Sequence, residues 1–273
     1  MQLREEIILT QPLQSGRKIE EAEASQAQNE IVINGLVKKY GDITAVNNLS
    51  LNIRKGEMFG FLGPNGAGKT TTISMLCGLL KPSAGSAQIA GYDIARQPQE
   101  AKAHIGVCPQ EAAVFKFLSG MENLILFGNL HGMNPQLIRE RATKLVEQAD
   151  FADAARRKAK GYSGGMMRQL NLLIALISDP EIVFLDEPTV GMDARARRRT
   201  WESIASLKDE GKTVILTTHY IEEAETLSDR VGIIDYGELV ALDTPKALME
   251  AHHVDDLEGV FLKITGRRIA EGL

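Results

Sequence analysis

The sequence predicts an α/β protein with a mostly parallel sheet core, an antiparallel β addition and a helical subdomain, and three observations carry that expectation. First, short apolar runs alternate with helical periodicity in the second half of the chain. Ile182–Leu185, Thr213–Thr218, Val231–Ile234 and Glu238–Leu242 read as strands, and Ala194–Leu207 and Ile221–Leu227 as helices. Strands separated by helices pair in parallel, with the helices on the sheet faces. Second, the apolar run Met58–Leu62 enters a glycine-rich loop, and a helix is expected from near Lys69 to before Pro82. Third, Leu49, Leu51 and Ile53 alternate with polar residues, as in a half-buried strand, which predicts the antiparallel addition ahead of the parallel core.

Between about Ala95 and Asp179 the pattern is mostly helical, with Leu124–Leu130 and Ile138–Ala149 as helices around the loop His131–Pro135. The chain therefore divides into a polar extension over 1–29, a main domain over 30–245 with its helical subdomain at about 96–179, and a tail over 246–273. Gln11–Glu30 is too rich in Gln, Glu, Ser and Ala to build a core. There is no internal repeat, so a single main domain is expected and not a tandem pair.

Composition narrows the function classes. The 273 residues are 44% hydrophobic and 25% charged, as in ordinary globular proteins, and the net charge is -5. A net-acidic chain is a poor starting point for a general nucleic-acid binder, because phosphate contacts need clustered Lys and Arg, so no nucleic-acid partner is expected. Two cysteines, Cys77 and Cys108, give no disulfide framework and are expected to be buried. No apolar run approaches the ~18 residues that cross a bilayer, and the first residues lack a signal-peptide pattern. The expected place is the cytosol, with membrane contact through a partner.

Gly63-Pro64-Asn65-Gly66-Ala67-Gly68-Lys69-Thr70, followed by Thr71, matches the phosphate loop GxxxxGK[ST] in full. Glycines let the backbone curl so that N–H groups face phosphate oxygens, and the following helix offers its positive end. Lys69 reaches the terminal phosphates, and the Thr70 hydroxyl is a Mg²⁺ ligand. ATP and Mg²⁺ are thus the expected ligands. The strand Ile182–Leu185 delivers Asp186 and Glu187 at its end. Beside a phosphate loop, Asp186 is placed to organise Mg²⁺ and Glu187 to activate water. Tyr162-Ser163-Gly164-Gly165-Met166 precedes a helical run, Met167–Ile177, and offers a second phosphate-binding helix start. One nucleotide does not need two such sites in one chain, whereas two chains in head-to-tail opposition use both.

On these motifs the chain resembles the ABC ATPase family, whose signature is usually LSGGQ; the resemblance covers about Ile31 to Arg268. Tyr162 stands for the signature's Leu and Met166 for its Gln. The resemblance implies further roles. Tyr40 is similar to the residue that stacks on adenine. Gln110, after Cys108-Pro109, is similar to the glutamine that senses Mg²⁺ and the γ-phosphate and links to the transmembrane partner. Asp193 resembles the loop residue that crosses the dimer interface, and His219 the switch histidine at the γ-phosphate.

YSGGM, the run Thr218–Glu225 and the stretch Leu257–Arg267 resemble the ABC-2-type exporters of drugs and polysaccharides. Met167 and Gln169 interrupt the basic pattern common there, and Ala194 replaces the usual Pro. Arg195–Arg199 reads as a solvated basic helix face, with Trp201 beyond it. The resemblance implies an ATPase subunit that dimerises with itself or a homologous ATPase subunit, lies on the cytoplasmic face of the membrane and powers an ABC-2-type permease. The competing class is a soluble ABC ATPase without a membrane partner. A phosphate-loop kinase or GTPase is disfavoured by Ser163–Met166 and by the lack of an NKxD guanine-reading motif.

Overall fold

The structure, a computed structural model, describes residues 29–269. The polar extension expected over 1–29 lies outside them apart from Asn29, which opens the first strand.

Two sheets organise the described residues. Strands β1 (Asn29–Tyr40), β2 (Ile43–Arg54), β4 (Ala84–Ile89) and β5 (Tyr92–Asp93) form an antiparallel sheet in the order β2-β1-β4-β5. Strands β3 (Met58–Leu62), β6 (Ile105–Cys108), β7 (Ile182–Asp186), β8 (Thr213–Thr218), β9 (Arg230–Asp235) and β10 (Glu238–Asp243) form the second, ordered β10-β9-β3-β8-β7-β6. All its pairs are parallel except the hairpin β9–β10.

Side-chain alternation along the parallel strands builds two apolar layers. Phe59, Phe61, Phe184 and Ile215 pack with Ile31, Ile33, Leu49 and Ile53 of the antiparallel sheet and with Ile73 and Met75 of helix α1 (Lys69–Leu76). Met58, Val183, Leu185, Val214 and Leu216 face the other way. They meet Leu172 and Ala175 of α6 (Gly164–Leu176), and Trp201, Ile204 and Leu207 of α7 (Ala194–Asp209). Both cysteines are buried as expected, and burial pushes the Cys108 thiol up to about 12.

The stretch after β5 holds α2 (Pro98–Ala103), α3 (Gly120–Leu130), α4 (Pro135–Gln148) and the single turn α5 (Ala152–Ala155). It is mostly helical, but it also contains β6, which the sequence pattern concealed. Its four residues pair on one side only, with β7, and include Gly106. A Cβ at Gly106 would come 2.1 Å from the Ala175 carbonyl oxygen, so glycine permits α6 to lie against the strand. Helix α3 starts ahead of its apolar periodicity because Ser119 and Glu122 close a reciprocal cap: Glu122 N–H donates to Ser119 Oγ at 3.1 Å, and Ser119 N–H to Glu122 Oε2 at 2.6 Å. Helices α8 (Ile221–Leu227), α9 (Pro245–His252) and α10 (Leu257–Thr265) gather Ala224, Leu248, Leu257 and Phe261 over Leu62, Val231 and Ile233. No described helix is long and apolar enough to cross a membrane.

Candidate active site

The loop Gly63–Thr70 leaves β3 at the end of the central strands and turns into α1. Two of its glycines, Gly63 and Gly68, sit where packing excludes a side chain. A Cβ on Gly63 would lie 2.2 Å from the Ile234 carbonyl oxygen, and one on Gly68 2.4 Å from that of Ala45, with Gly68 also at φ 105°. The loop thus curls between the antiparallel sheet and β9. Pro64 accepts from Ala67 N–H at 3.2 Å, and Ala67 accepts from Gly237 N–H at 2.9 Å. The backbone N–H groups of Asn65, Gly66, Gly68, Lys69, Thr70 and Thr71 have no acceptor among the described residues. Together they form a cradle of donors, and the concavity suits an anion. Lys69 is buried in it and donates to the Gly63 and Pro64 carbonyls at 2.7 and 3.1 Å. Burial lowers its ammonium pKa, against the pull of Glu187 and Asp186.

The end of β7, which lies across β8 from β3, places two carboxylates beside this cradle. Asp186 accepts hydrogen bonds from Thr70 Oγ1 at 3.1 Å and from Thr217 Oγ1. Glu187 is held at φ 49°, an uncommon conformation for a side-chain-bearing residue. The Thr217 carbonyl and hydroxyl oxygens both accept from its N–H at 3.1 Å. Its carboxylate meets Lys69 Nζ at 3.7 Å, Gln110 Nε2 at 3.4 Å and His219 Nδ1 at 3.3 Å. The His219 approach lacks hydrogen-bond alignment, so Nδ1 remains a buried polar atom without a partner. Burial alone would push the Glu187 carboxyl up, but His219 and the Lys69 ammonium together hold it below the ordinary carboxylate range.

The structure thus brings together Lys69, Thr70, Gln110, Asp186, Glu187 and His219 from four chain segments. It leaves Tyr40, the signature and Asp193 outside this cluster. Tyr40 ends β1, 47% exposed, with Lys38 Nζ 5.1 Å from its ring centre. Ser163 caps α6 through Met166 N–H at 3.3 Å, so the helix begins at Gly164, ahead of the expected Met167. No hydrogen bond or ion pair among the described residues joins 162–166 to 63–70. Tyr162 serves the subdomain: its hydroxyl donates to the Ala154 carbonyl at 2.6 Å, and its ring meets Phe151 edge-on. Asp193 caps α7, accepting from Ala196 N–H at 2.9 Å.

Some contributors were not singled out from the sequence. Thr217 grips both carboxylate residues yet reads simply as a strand residue. Within the expected solvated face, Arg197 is half-buried, with its guanidinium 4.5 Å from the Tyr220 ring centre, while Arg195, Arg198 and Arg199 are exposed.

The family described as ABC transporter matches residues 46–190. The daunorubicin resistance ATP-binding protein DrrA3 of Streptomyces coeruleorubidus is 44% identical over 222 residues, which span 81% of this chain and 70% of that protein. The Nod factor export ATP-binding protein I of Burkholderia orbicola (strain AU 1054) is 43% identical over 214 residues, 78% of this chain and 70% of that one. A solved dimeric, post-hydrolysis ATP-binding cassette bound to ADP and Pi superposes with a TM-score of 0.72 at 26% identity, covering 78% of this chain and 98% of that one.

Proposed function

The chain belongs to the ABC transporter family as an ATPase subunit of its ABC-2-type exporters, and on that premise we propose how its residues divide the work. Two copies, or one copy and a homologous subunit, close head to tail. Each ATP then lies between the donor cradle Gly63–Thr71 of one chain and Ser163–Met166 of the other, with Asp193 at the seam. The observation that carries this reading is the set of unpaired N–H donors wrapped around a buried Lys69, with Glu187 and His219 converging at its edge.

Lys69 and the loop amides hold the β- and γ-phosphates. Tyr40, at the exposed end of β1, stacks on adenine. The oxygens of Thr70 and Asp186, with Gln110 beside them, fit Mg²⁺, which when bound neutralises phosphate charge. Among the described residues no three His, Cys, Asp or Glu side chains gather into a metal cage. That suits an ion held by one or two protein oxygens plus substrate phosphates. Glu187, kept ionised, orients and deprotonates the attacking water. His219 presents its unpartnered ring nitrogen towards the γ-phosphate. Gln110, on the surface after β6, carries the change outward to an ABC-2-type permease subunit at the cytoplasmic face of the membrane.

The test is Glu187→Gln. It is expected to keep ATP affinity within about threefold while turnover falls about 10²- to 10⁴-fold, the usual contribution of a positioned general base. In ATP-Mg²⁺ the variant should run as a dimer by light scattering. Normal turnover in a folded variant would remove Glu187 from the mechanism.

A further inference from the structure

Glu223 lies on α8, four residues after His219, and is fully buried. A buried carboxyl needs a reason, since it gives up hydration. One oxygen, Oε1, accepts from Thr189 Oγ1 at 2.8 Å and from Trp201 Nε1 at 2.9 Å. The other oxygen, Oε2, has no partner, and neither does the buried Nε of Arg197 nearby. Burial pushes the Glu223 carboxyl up, against the pull of the surrounding hydroxyls, indole and Arg197.

The partners belong to segments that border the site proposed above. Thr189 follows Glu187 by two residues and is buried. Trp201 sits on α7, whose N-terminus is capped by Asp193. Arg197, also on α7, stacks on Tyr220, whose ring lies 4.2 Å from that of His219. The contacts close a ring: Glu187 to Thr189 along the chain, Thr189 to Glu223, Glu223 back along the chain to His219 just ahead of α8, and His219 to Glu187 at 3.3 Å. Trp201 attaches α7 to the same atom.

We propose that Glu223 is a positioning residue, a buried clamp that holds the Glu187–Thr189 segment, the His219 turn and helix α7 as one body, so that hydrolysis and the dimer-facing end of α7 change together. This rests on the ATPase reading. Glu223 touches no substrate; it fixes the groups that do. Glu223 Oε2 and Arg197 Nε are both buried without a partner, and a contact between them would give the clamp a second arrangement.

The experiment compares full-length wild type, Glu223→Ala, Glu223→Gln, Thr189→Val, Trp201→Phe and the double variant Thr189→Val/Glu223→Ala. A misplaced reacting group costs up to ~10²-fold in rate, so Glu223→Ala is expected to lower kcat about 10- to 100-fold with KM for ATP within about threefold. Gln keeps the accepting oxygen and should restore kcat to within about threefold of wild type. Thr189→Val should cost little more once Glu223 is Ala, because both break one clamp. Trp201 is the chain's one tryptophan, so its fluorescence reads the clamp directly. Its emission should shift on adding ATP-Mg²⁺ to wild type, and this response should be lost in Glu223→Ala. A folded Glu223→Ala or Trp201→Phe with wild-type kcat overturns the proposal. So does a rate loss that Gln fails to restore, or one that tracks thermal stability across the series. If Glu223→Ala does not fold, Gln and Trp201→Phe decide, the latter expected at three- to tenfold below wild-type kcat. Failure of the underlying reading looks different: wild type and Glu187→Gln then hydrolyse ATP alike.

Discussion

The two features proposed to bind phosphate, the loop Gly63–Thr70 and the helix start at Ser163–Gly165, share glycine beside a helix N-terminus but not one environment. The loop is enclosed by its own chain. Carbonyls of Ile234 and Ala45 press on Gly63 and Gly68, and Lys69 is buried. The helix start is open: Ser163 and Gly164 are exposed, and a Cβ built on Gly164 meets nothing within 4 Å. In the first region glycine is required by packing within the chain. In the second, nothing among the described residues requires it. The contrast supports a site completed by a second chain, since a bare helix start with spare room is then the surface that receives a neighbour's nucleotide.

The largest effect that sharpens this contrast is expected from Gly164→Asp. Gly164 has ordinary helical geometry and open space, and an acidic residue favours a helix N-terminus. Melting temperature and ATP affinity of the isolated subunit should therefore hold. Turnover should fall about 100-fold or more, because a carboxylate is set against the phosphate charge that the N–H donors of this helix start would stabilise. Gly63→Ala should show the opposite pattern. Its methyl meets a backbone carbonyl, so it should lose about 1–3 kcal/mol of stability, as overpacked sites do, along with ATP binding. Equal melting losses in the two variants, by calorimetry, would break the distinction.

The same contrast governs how much was legible in the sequence. The phosphate loop, the strand Thr213–Thr218 and the helix Ile221–Leu227 were readable because one local segment carries the whole pattern. Strands β4, β5 and β6 were not. β4 is Ala84-Gly85-Ser86-Ala87-Gln88-Ile89, with only Ala87 and Ile89 buried, and it exists because β1 offers it an edge. The pairing of Asp186 and Glu187 with Lys69 could be expected from the two motifs, but that Gln110 and His219 join them could be expected only through family resemblance, since it depends on strand order. The Thr189–Glu223–Trp201 contact had no local signal at all. A glutamate in a polar helical run gives no hint that a fold will bury it.

A tenfold effect is expected at Tyr40. The ring is exposed and supports little of the fold. Stacking on a base is worth ~1–3 kcal/mol, so Tyr40→Ala should weaken ATP about tenfold or more by titration calorimetry, and Tyr40→Phe should stay within about twofold. Unchanged affinity in the alanine variant would remove adenine from this strand end.

Acid titration bears on the enclosed region alone. Folding holds the Glu187 carboxyl below its ordinary value of 4.5. Its ionised form therefore adds stability that is fully present above about pH 4.5 and is lost as pH falls through the folded value. Measured by urea unfolding, the stability difference between wild type and Glu187→Gln should favour wild type most near neutrality and narrow below that pH. A difference that stays constant would mean that Lys69 and His219 do not hold the charge.

The smallest effect is expected beside the open helix start, at Tyr162. Its hydroxyl bonds the Ala154 carbonyl at 2.6 Å, inside the helical subdomain and away from the exposed Ser163. Tyr162→Phe keeps the ring against Phe151 and deletes the hydroxyl's shared donation to the Ala154 and Arg157 carbonyls, a cost of about 1 kcal/mol and roughly 2–4 °C in melting temperature for a chain of this size. Turnover should remain within about twofold, because Ser163, Gly164 and Gly165 keep their places. A large loss of turnover with an unchanged melting temperature would instead make Tyr162 part of the surface that meets the neighbouring nucleotide. The open region would then extend one residue further than its packing indicates.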